Sequence, residues 1–324
     1  MSRFHPLRRC MIGALGLGLA LAAGTAAAAD RTIRIVVPFG AGAVQDTIAR
    51  AISTELGSAL NATVIVENRA GAGGSVGSLQ VARAAPDGNT LVLAAASHHI
   101  VGHLYPKLGY DPLKDFVGVA YLGNSGYVLL TSAALPVTNV AELVRELKAN
   151  PGKYNYASAG NGSATHLGSA AFLARAGADM VHVPMKSTGD AVNEVVAGRV
   201  QMATAATIGV IGFRNDPRVR LLAYTGRTRS KFLPDLPTVA ESGLPGFEFD
   251  SWIGLLAPAA TPKAEVDKIN AAVAKVLADP AVQERFTRLG VETSTLPQPE
   301  FQRLLAADWD KAGVLVKSSG AKVD

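Results

Sequence analysis

A short glycine loop near the start of the chain carries residues suited to holding an anion. The segment 40–43, which begins Gly-Ala-Gly, follows an apolar, β-branched stretch at residues 33–37 that predicts a buried strand. A helix is predicted directly after it, over residues 47–56. Glycine lets another molecule approach the backbone closely, and a helix start offers unpaired N–H groups and a positive dipole end. We predict that this first glycine loop forms half of a carboxylate-binding site.

A second loop of small residues has the same setting. Residues 158–166, which begin Ser-Ala-Gly-Asn-Gly-Ser, follow a predicted strand at 154–157 and open a helix predicted over residues 167–176. The order of strand, glycine loop and helix therefore occurs twice, and we call segments 40–43 and 158–163 the first and second glycine loops.

A dinucleotide site is the first alternative for the first glycine loop. Glu67 lies at about the right distance for the acid of that fingerprint, but Gln45 stands where its third glycine is required. Because the pattern is incomplete, we predict no bound cofactor.

A metal site is a second alternative, since His98, His99 and His103 are of ligand type. The last two are one helical turn apart, but no neighbouring group of Asp or Glu completes a coordination set. We therefore predict no metal ligand.

A secreted hydrolase is a third alternative, because Ser158, Ser163 and His166 lie close in sequence. The chain has no Gly-x-Ser-x-Gly elbow, and no pattern places an acid beside them. We predict no catalytic residue and keep hydrolase only as an alternative. His166 is expected to support the second glycine loop, and Asp46 to cap N–H groups of the first.

The elements around the loops predict an α/β architecture of two lobes. Strands and helices alternate over residues 33–95, which implies a parallel sheet covered by helices. Separate strands are predicted at 117–122 and 127–131, a second α/β unit follows, and three helices end the chain. We expect a first lobe over 30–126, a second over 127–250, and a return to the first over 251–324.

The first 29 residues are typical of a secretory signal. Arg3, Arg8 and Arg9 precede an apolar run at residues 11–23, and small residues before Asp30 suit cleavage near Ala29. The only cysteine of the 324-residue chain, Cys10, lies within this segment. The mature protein is therefore expected in the periplasm, without a disulfide or a cysteine nucleophile.

The charge balance argues against a nucleic-acid partner. Without the three arginines of the signal, 28 basic residues face 26 acidic ones, and no Lys/Arg run is present.

Short motifs spread over the mature chain recur in an order that is specific to one family. They include Val37-Pro38-Phe39 with Gly42 and Asp46, Val66-Glu67-Asn68-Arg69, Pro86-Asp87-Gly88, Tyr110-Asp111-Pro112, Tyr156-Ala157-Ser158 with Gly160, Gly162 and His166, His182-Val183-Pro184 with Lys186, Ala197-Gly198-Arg199-Val200 and Pro245-Gly246-Phe247-Glu248. In these motifs the chain resembles the Bug-type periplasmic receptors of tripartite tricarboxylate transporters.

The resemblance implies a type II periplasmic-binding fold with two α/β lobes, a ligand cleft and hinge strands. It implies a monomeric receptor, not an enzyme, for a small organic carboxylate held by the two glycine loops. It also implies delivery to one large and one small integral membrane subunit. A sensor that presents its closed form to a signalling partner is the alternative. Two helix starts that face one cleft can hold carboxylate oxygens without a buried arginine.

The chain departs from the family pattern at positions that bear on the ligand. Ala43 and Gln45 replace a glycine and a small hydroxyl residue of the first loop, and Asp190 replaces a proline at a helix start. Ala205 aligns with the acid that amino-acid receptors use, so an amino-acid ligand loses support unless Asp190 substitutes for that acid. The candidate ligand contacts are Phe39, Gly40, Ala41, Gly42, Gln45, Ser158, Asn161, Gly162, Ser163, Thr165, Asp190 and Thr204.

Overall fold

The computed structural model describes residues 31–319, so the predicted export signal lies outside the described residues. Over this range the chain is a mixed α/β protein in which one continuous, curled sheet serves two lobes. No helix in the described range is long and apolar enough to span a membrane.

The first lobe begins with three strands and three helices: β1 (Thr32–Val37), α1 (Val44–Leu60), β2 (Thr63–Asn68), α2 (Ser75–Ala82), β3 (Thr90–Ala95) and α3 (Ser97–Leu104). β1 lies between β2 and β3 and is parallel to both, as the sequence predicts. The alternate side chains Ile33, Ile35 and Val37 are fully buried in one core with α1. Helix α3 is not predicted by the sequence, because its histidines and β-branched residues are weak helix formers.

A single long strand, β4 (Phe116–Ser132), carries the chain from the first lobe into the second. The prediction of separate strands at 117–122 and 127–131 is therefore wrong. The intervening Asn124, Ser125 and Gly126 interrupt the apolar pattern, but their backbone remains paired with a neighbouring strand. Because main-chain hydrogen bonds decide where a strand ends, the side-chain pattern does not reveal this continuity.

The second lobe follows with four helices and four strands: α4 (Val140–Ala149), β5 (Asn155–Ser158), α5 (Ala164–Ala176), β6 (Val181–Pro184), α6 (Thr188–Val196), β7 (Met202–Ala206), α7 (Thr207–Val210) and β8 (Val219–Tyr224). β5 is parallel to β6 and to β7. This is the predicted second α/β unit, and β5 and α5 lie within three residues of their predicted bounds.

The chain then returns through β9 (Asp250–Pro258), α8 (Lys263–Leu277), α9 (Pro280–Arg288), β10 (Glu292–Thr293) and α10 (Gln298–Ser319). α8 and α9 pack on α1, as expected for helices that return to the first lobe. α10 differs from that expectation because it contacts α3, β4 and also α5 of the second lobe. Its Phe301 and Leu305 lie in a core of the first lobe, whereas Ala312 and Val316 join the main core of the second.

The strands β4 and β9 form the crossing between the lobes. β9 pairs antiparallel with β3 and with β4, and its register with β4 ends where Asp250 faces Gly126. From Tyr127 onward β4 pairs instead with β7 and β8, antiparallel to both. The partners of β4 therefore change between residues 126 and 127.

These pairings make the two glycine loops face each other. β4 runs in the same direction as β1 and β3, because β9 is antiparallel to both β3 and β4. β5 runs the opposite way, because its parallel neighbour β7 is antiparallel to β4. The carboxyl end of β1 therefore points toward the second lobe and that of β5 toward the first, so the loops after them meet across the junction.

Close packing on β9 predicts the effect of one added methyl group. A Cβ at Gly254 would lie 2.4 Å from the ring of the fully buried Phe301 and 2.9 Å from the Ala120 carbonyl oxygen. We expect Gly254→Ala to lower the free energy of unfolding by roughly 1–3 kcal/mol, measured by urea denaturation. Gly212→Ala is the matched control, since nothing lies within 4 Å of its added Cβ. Equal effects of the two substitutions would contradict this packing.

Candidate functional site

The first glycine loop is a tight turn locked to the helix that follows it. The Ala43 N–H donates to the Gly40 carbonyl oxygen at 3.2 Å, and the Gly42 N–H donates to Asp46 Oδ2 at 2.9 Å. Gly42 has φ of +83°, a conformation that favours glycine. Gly40 and Ala41 are exposed at the tip of the turn.

Asp46 is the hub that holds this loop, which confirms its predicted role as a support for the loop. Its Oδ1 accepts from Asn68 Nδ2 at 2.9 Å and from Arg50 Nε at 3.0 Å, and the same Asn68 amide donates to the Phe39 carbonyl at 3.1 Å. The hydrogen bond from Arg50, with the further one from the Gly42 N–H, lowers the pKa of Asp46 to about 2 although its burial opposes this. The carboxylate is therefore ionised at neutral pH and turned inward.

The start of α1 keeps its donors free. Ala43 at the N-cap makes no side-chain cap, and the N–H groups of Val44 and Gln45 have no acceptor within the part of the chain that the structure describes. By contrast, Ser163 caps α5 and Ser187 caps α6. α1 therefore presents an uncapped N-terminus, with its positive dipole end, to the cleft.

Hydroxyl groups of the second lobe hold the second glycine loop through hydrogen bonds to backbone N–H groups. The fully buried Ser158 Oγ accepts from the Gly160 N–H at 3.1 Å, and Thr165 Oγ1 accepts from the Ala159 N–H at 2.8 Å. Ser163 Oγ caps α5 by accepting from the His166 N–H at 3.2 Å. These hydroxyls consume inward-facing donors and fix the path of the loop.

His166 supports the same loop from the side, as the sequence predicts. Its Nδ1 accepts from the Gly162 N–H at 3.1 Å, which requires that Nδ1 carry no proton. The ring stacks on His182, with centroids 4.0 Å apart and planes parallel. Burial, with a further contribution from His182, lowers the pKa of His166 to about 4, so the ring is neutral at pH 7.

The second loop also leaves donors for a ligand. The N–H groups of Asn161, Ala164 and Thr165 have no acceptor among residues 31–319. Asn161 is exposed at the tip of the loop. A Cβ at Gly162, whose φ is +73°, would lie 2.7 Å from Leu104 Cδ1, so α3 of the first lobe closes against this loop on one side. The sequence does not predict this contact, since nothing in its pattern predicts α3.

Two of the predicted contacts lie away from the loop tips. Thr204 is 1% exposed, and its hydroxyl accepts from Ser169 Oγ at 3.0 Å within the second lobe. Asp190 is exposed at the start of α6, where its N–H donates to Ser187 Oγ at 3.1 Å. Asn68, by contrast, was not predicted as a site residue, although its place in the motif Val66-Glu67-Asn68-Arg69 was a usable signal.

The three histidines of the metal-site alternative each form hydrogen bonds within the protein. His98 bonds Ser78 and the Pro112 carbonyl, His99 bonds Asp308, and His103 bonds the Trp309 carbonyl. Across residues 31–319 no group of three potential ligands is placed to hold a metal ion.

Neither serine of the hydrolase alternative bonds the His166 ring among the described residues, because Ser163 Oγ accepts the His166 backbone N–H and the ring Nδ1 accepts from Gly162. Ser158 Oγ lies 2.7 Å from Nε2 of His182 rather than against His166, and Ser158 is fully buried.

Comparison with known families identifies one match over most of the chain. Residues 48–321 match the family described as tripartite tricarboxylate transporter family receptor. A protein from the tcbD–tcbE intergenic region of Pseudomonas sp. strain P51 is 37% identical over 292 residues, covering 89% of this chain and 87% of that protein. Protein BugT of Bordetella pertussis is 33% identical over 329 residues, covering 100% and 99%.

Solved structures with the same fold include carboxylate complexes. The periplasmic binding protein BugD has a TM-score of 0.75 and 34% identity, covering 90% of this chain and 98% of that one. Rpa4515 of R. palustris, solved with adipate, has a TM-score of 0.78 and 29% identity, covering 90% and 99%. MatC from Rhodopseudomonas palustris, with bound malate, has a TM-score of 0.73 and 32% identity, covering 88% and 99%.

The neutral state of His166 predicts a measurable dependence of stability on pH. Below the ordinary histidine pKa of 6.5, the unfolded chain binds a proton at this position that the folded protein does not, because its folded pKa is about 4. The stability that neutral His166 contributes is therefore lost as the pH falls from about 6.5 toward 4.

His166→Asn tests this dependence. Its Oδ1 can accept from the Gly162 N–H in place of Nδ1, and the residue does not titrate. We expect its free energy of unfolding, measured by urea denaturation at about pH 7 and pH 4.5, to fall less than that of the parent. Parallel losses in the two proteins would contradict the assignment.

Proposed function

The chain belongs to the tripartite tricarboxylate transporter receptor family, and we propose that it binds a small organic carboxylate between its lobes and delivers it to a membrane transporter. The protein has the type II periplasmic-binding fold of the family. The observation that carries the proposal is the uncapped N-terminus of α1, aimed across the junction at the second glycine loop.

Backbone N–H groups are the donors we assign to the carboxylate. Val44 and Gln45 supply them from the first lobe, and Asn161 and Thr165 from the second. Such donors at a helix start bind anions without a cationic side chain. The proposed contact residues at the loop tips are Phe39, Gly40, Ala41, Gly42, Gln45, Asn161, Gly162 and Ser163.

The remaining predicted residues have supporting roles in this proposal. The side chains of Ser158 and Thr165 shape the second glycine loop, while the Thr165 backbone N–H remains a proposed donor. The Thr204 side chain bonds Ser169 inside the second lobe. Asp190 is not retained as a contact, because an exposed carboxylate at that position would repel an anionic ligand.

A dicarboxylate is the ligand class that the two-sided arrangement favours. Each lobe offers one set of free N–H groups, so a molecule with a carboxylate at each end engages both. Adipate and malate, bound by the two R. palustris relatives, are dicarboxylates of this kind. Rotation about the crossing strands β4 and β9 would then close the lobes on the ligand.

The cellular setting follows from the family. The relative BugD is a periplasmic binding protein, and we propose that residues 1–29 of this chain direct export and are removed near Ala29. The proposed transporter partners are one large and one small integral membrane subunit.

A thermal-shift screen tests the ligand class. The mature protein is heated with malate, adipate, citrate, benzoate and glutamate in turn. A ligand that binds only the folded state stabilises it by about 2.7 kcal/mol at a hundredfold excess over its dissociation constant. We expect a raised melting temperature with at least one dicarboxylate. A shift with nucleotides or metal ions alone would contradict the proposal.

Two glycine variants separate binding from folding. Gly162→Val places a side chain against Leu104 in the cleft, at a position whose φ is +73°. Gly152→Val imposes similar backbone strain at φ of +68°, outside the cleft and 3.5 Å from Asp179.

We expect both variants to lose a similar amount of stability. Only Gly162→Val should lose at least about a hundredfold in affinity for the acid found in the screen, measured by calorimetry. Unchanged affinity in Gly162→Val would rule out the two-loop site.

A further inference from the structure

A cavity of about 570 Å³ lies between α5 and α10, beside the crossing strands β4 and β9. Its floor is formed by Tyr127 on β4 and by the start of β9. No residue of either glycine loop lines it, and only Ala164, the first residue of α5, borders the second loop. The cavity therefore adjoins the proposed carboxylate site at Ala164 and draws its other walls from residues outside the two glycine loops.

The walls of this cavity are built for an apolar molecule. Ile100, Tyr127, Phe247 and Phe249 are each less than a tenth exposed, and Leu315 of α10 completes the lining on the other side. The volume falls within the range of roughly 300–1,000 Å³ that is typical of small-molecule sites. Three aromatic rings suit a flat, hydrophobic body.

The charged groups around the cavity have an excess of carboxylates. The charged lining residues are Glu248, Asp250, Asp308 and Asp310 on the acidic side, and Arg175 and Lys311 on the basic side. Both cations are already engaged at the rim. Lys311 Nζ lies 3.7 Å from Glu248 Oε1, and the Arg175 guanidinium donates to the Pro245 carbonyl at 2.6 Å.

Asp250 makes no ion pair among residues 31–319, since Lys311, which acts on it from a distance, lies beside Glu248. Its only hydrogen bond among the described residues is a long one of 3.4 Å from Asn124 Nδ2, and no described cation forms an ion pair with it. Burial, with further contributions from Glu248 and Asp308, raises its pKa. A partly buried carboxylate of this kind is stabilised when a positive group from a ligand comes beside it.

Asp308 differs from Asp250 because its carboxylate is already bonded. Its Oδ2 accepts from Trp252 Nε1 at 2.7 Å and lies 2.7 Å from His99 Nδ1. Asp308 therefore adds negative potential beside Asp250 and links the cavity wall to a tryptophan.

We propose that this cavity is a second binding site, for a primary amine with an apolar or aromatic body whose ammonium group pairs with Asp250. The body of the amine lies against Tyr127, Phe247 and Phe249. Because α3, α5 and α10 line the cavity, an occupant contacts both lobes.

The chain contains its own reporter for this site. Trp252 and Trp309 are its only two tryptophans, and Trp252 bonds the cavity residue Asp308. Titration of the mature protein with 2-phenylethylammonium at about pH 8, where the amine is charged, is followed by tryptophan emission. Phenylpropionate reverses the charge of this probe, and 2-phenylethanol removes it.

We expect a saturable change in emission with the amine, and affinity at least tenfold weaker for the acid and the alcohol. Asp250→Asn should weaken amine binding at least tenfold, and Ala171→Phe, which fills the cavity from α5, should abolish it. Asp267→Asn on α8, where the carboxylate is exposed and paired with Lys263, is the matched control and should bind the amine as the parent does.

Thermal unfolding of each variant shows whether it is folded at the titration temperature. Equal binding by Asp250→Asn and the parent, or no saturable response, would overturn the proposal. Amine binding that is lost in Gly162→Val but kept in Asp250→Asn would also overturn it. The amine would then occupy the carboxylate cleft between the two glycine loops. None of these outcomes alters the thermal-shift test with carboxylates.

Discussion

The antiparallel pairing of β4 with β9 is the interaction on which the rest of this structure depends. The two strands carry the chain across the junction, and β4 changes partners between residues 126 and 127. Because antiparallel pairing reverses strand direction between the lobes, each lobe presents the carboxyl ends of its parallel strands to the other. The two glycine loops share one cleft for this reason, and rotation about the same strand pair can close it.

Within the cleft, side-chain hydrogen bonds hold the two glycine loops in shape. The backbone N–H groups that remain unpaired are the proposed donors to the carboxylate. Asp46, Thr165 and His166 each accept from an N–H of a glycine loop. These bonds turn part of each loop inward and leave the donors at the helix starts unpaired. Backbone donors recognise a carboxylate group rather than a particular molecule.

Helix α10 gives the molecule a second link between the lobes. Phe301 anchors it in the first lobe and Val316 in the second, so it packs on both sides of the crossing strands. The cavity beside it lies where α5 and α10 diverge. A rotation of the lobes that changes the carboxylate cleft must also change the packing of α10 on α5, because packed interiors do not deform freely. A change in the carboxylate cleft is therefore accompanied by a change in the cavity between α5 and α10.

Most of the elements, the α/β class and the two glycine loops can be predicted from the sequence. The reason is that apolar periodicity and glycine placement are local signals. The sequence also identified Asp46 and His166 as loop supports, since both lie within a few residues of the N–H groups they accept from. Tertiary structure alone decided the continuity of β4, the closure of Leu104 on Gly162, and the burial of Thr204. Each of these depends on pairing or packing between segments far apart in the chain, and no local pattern encodes such contacts.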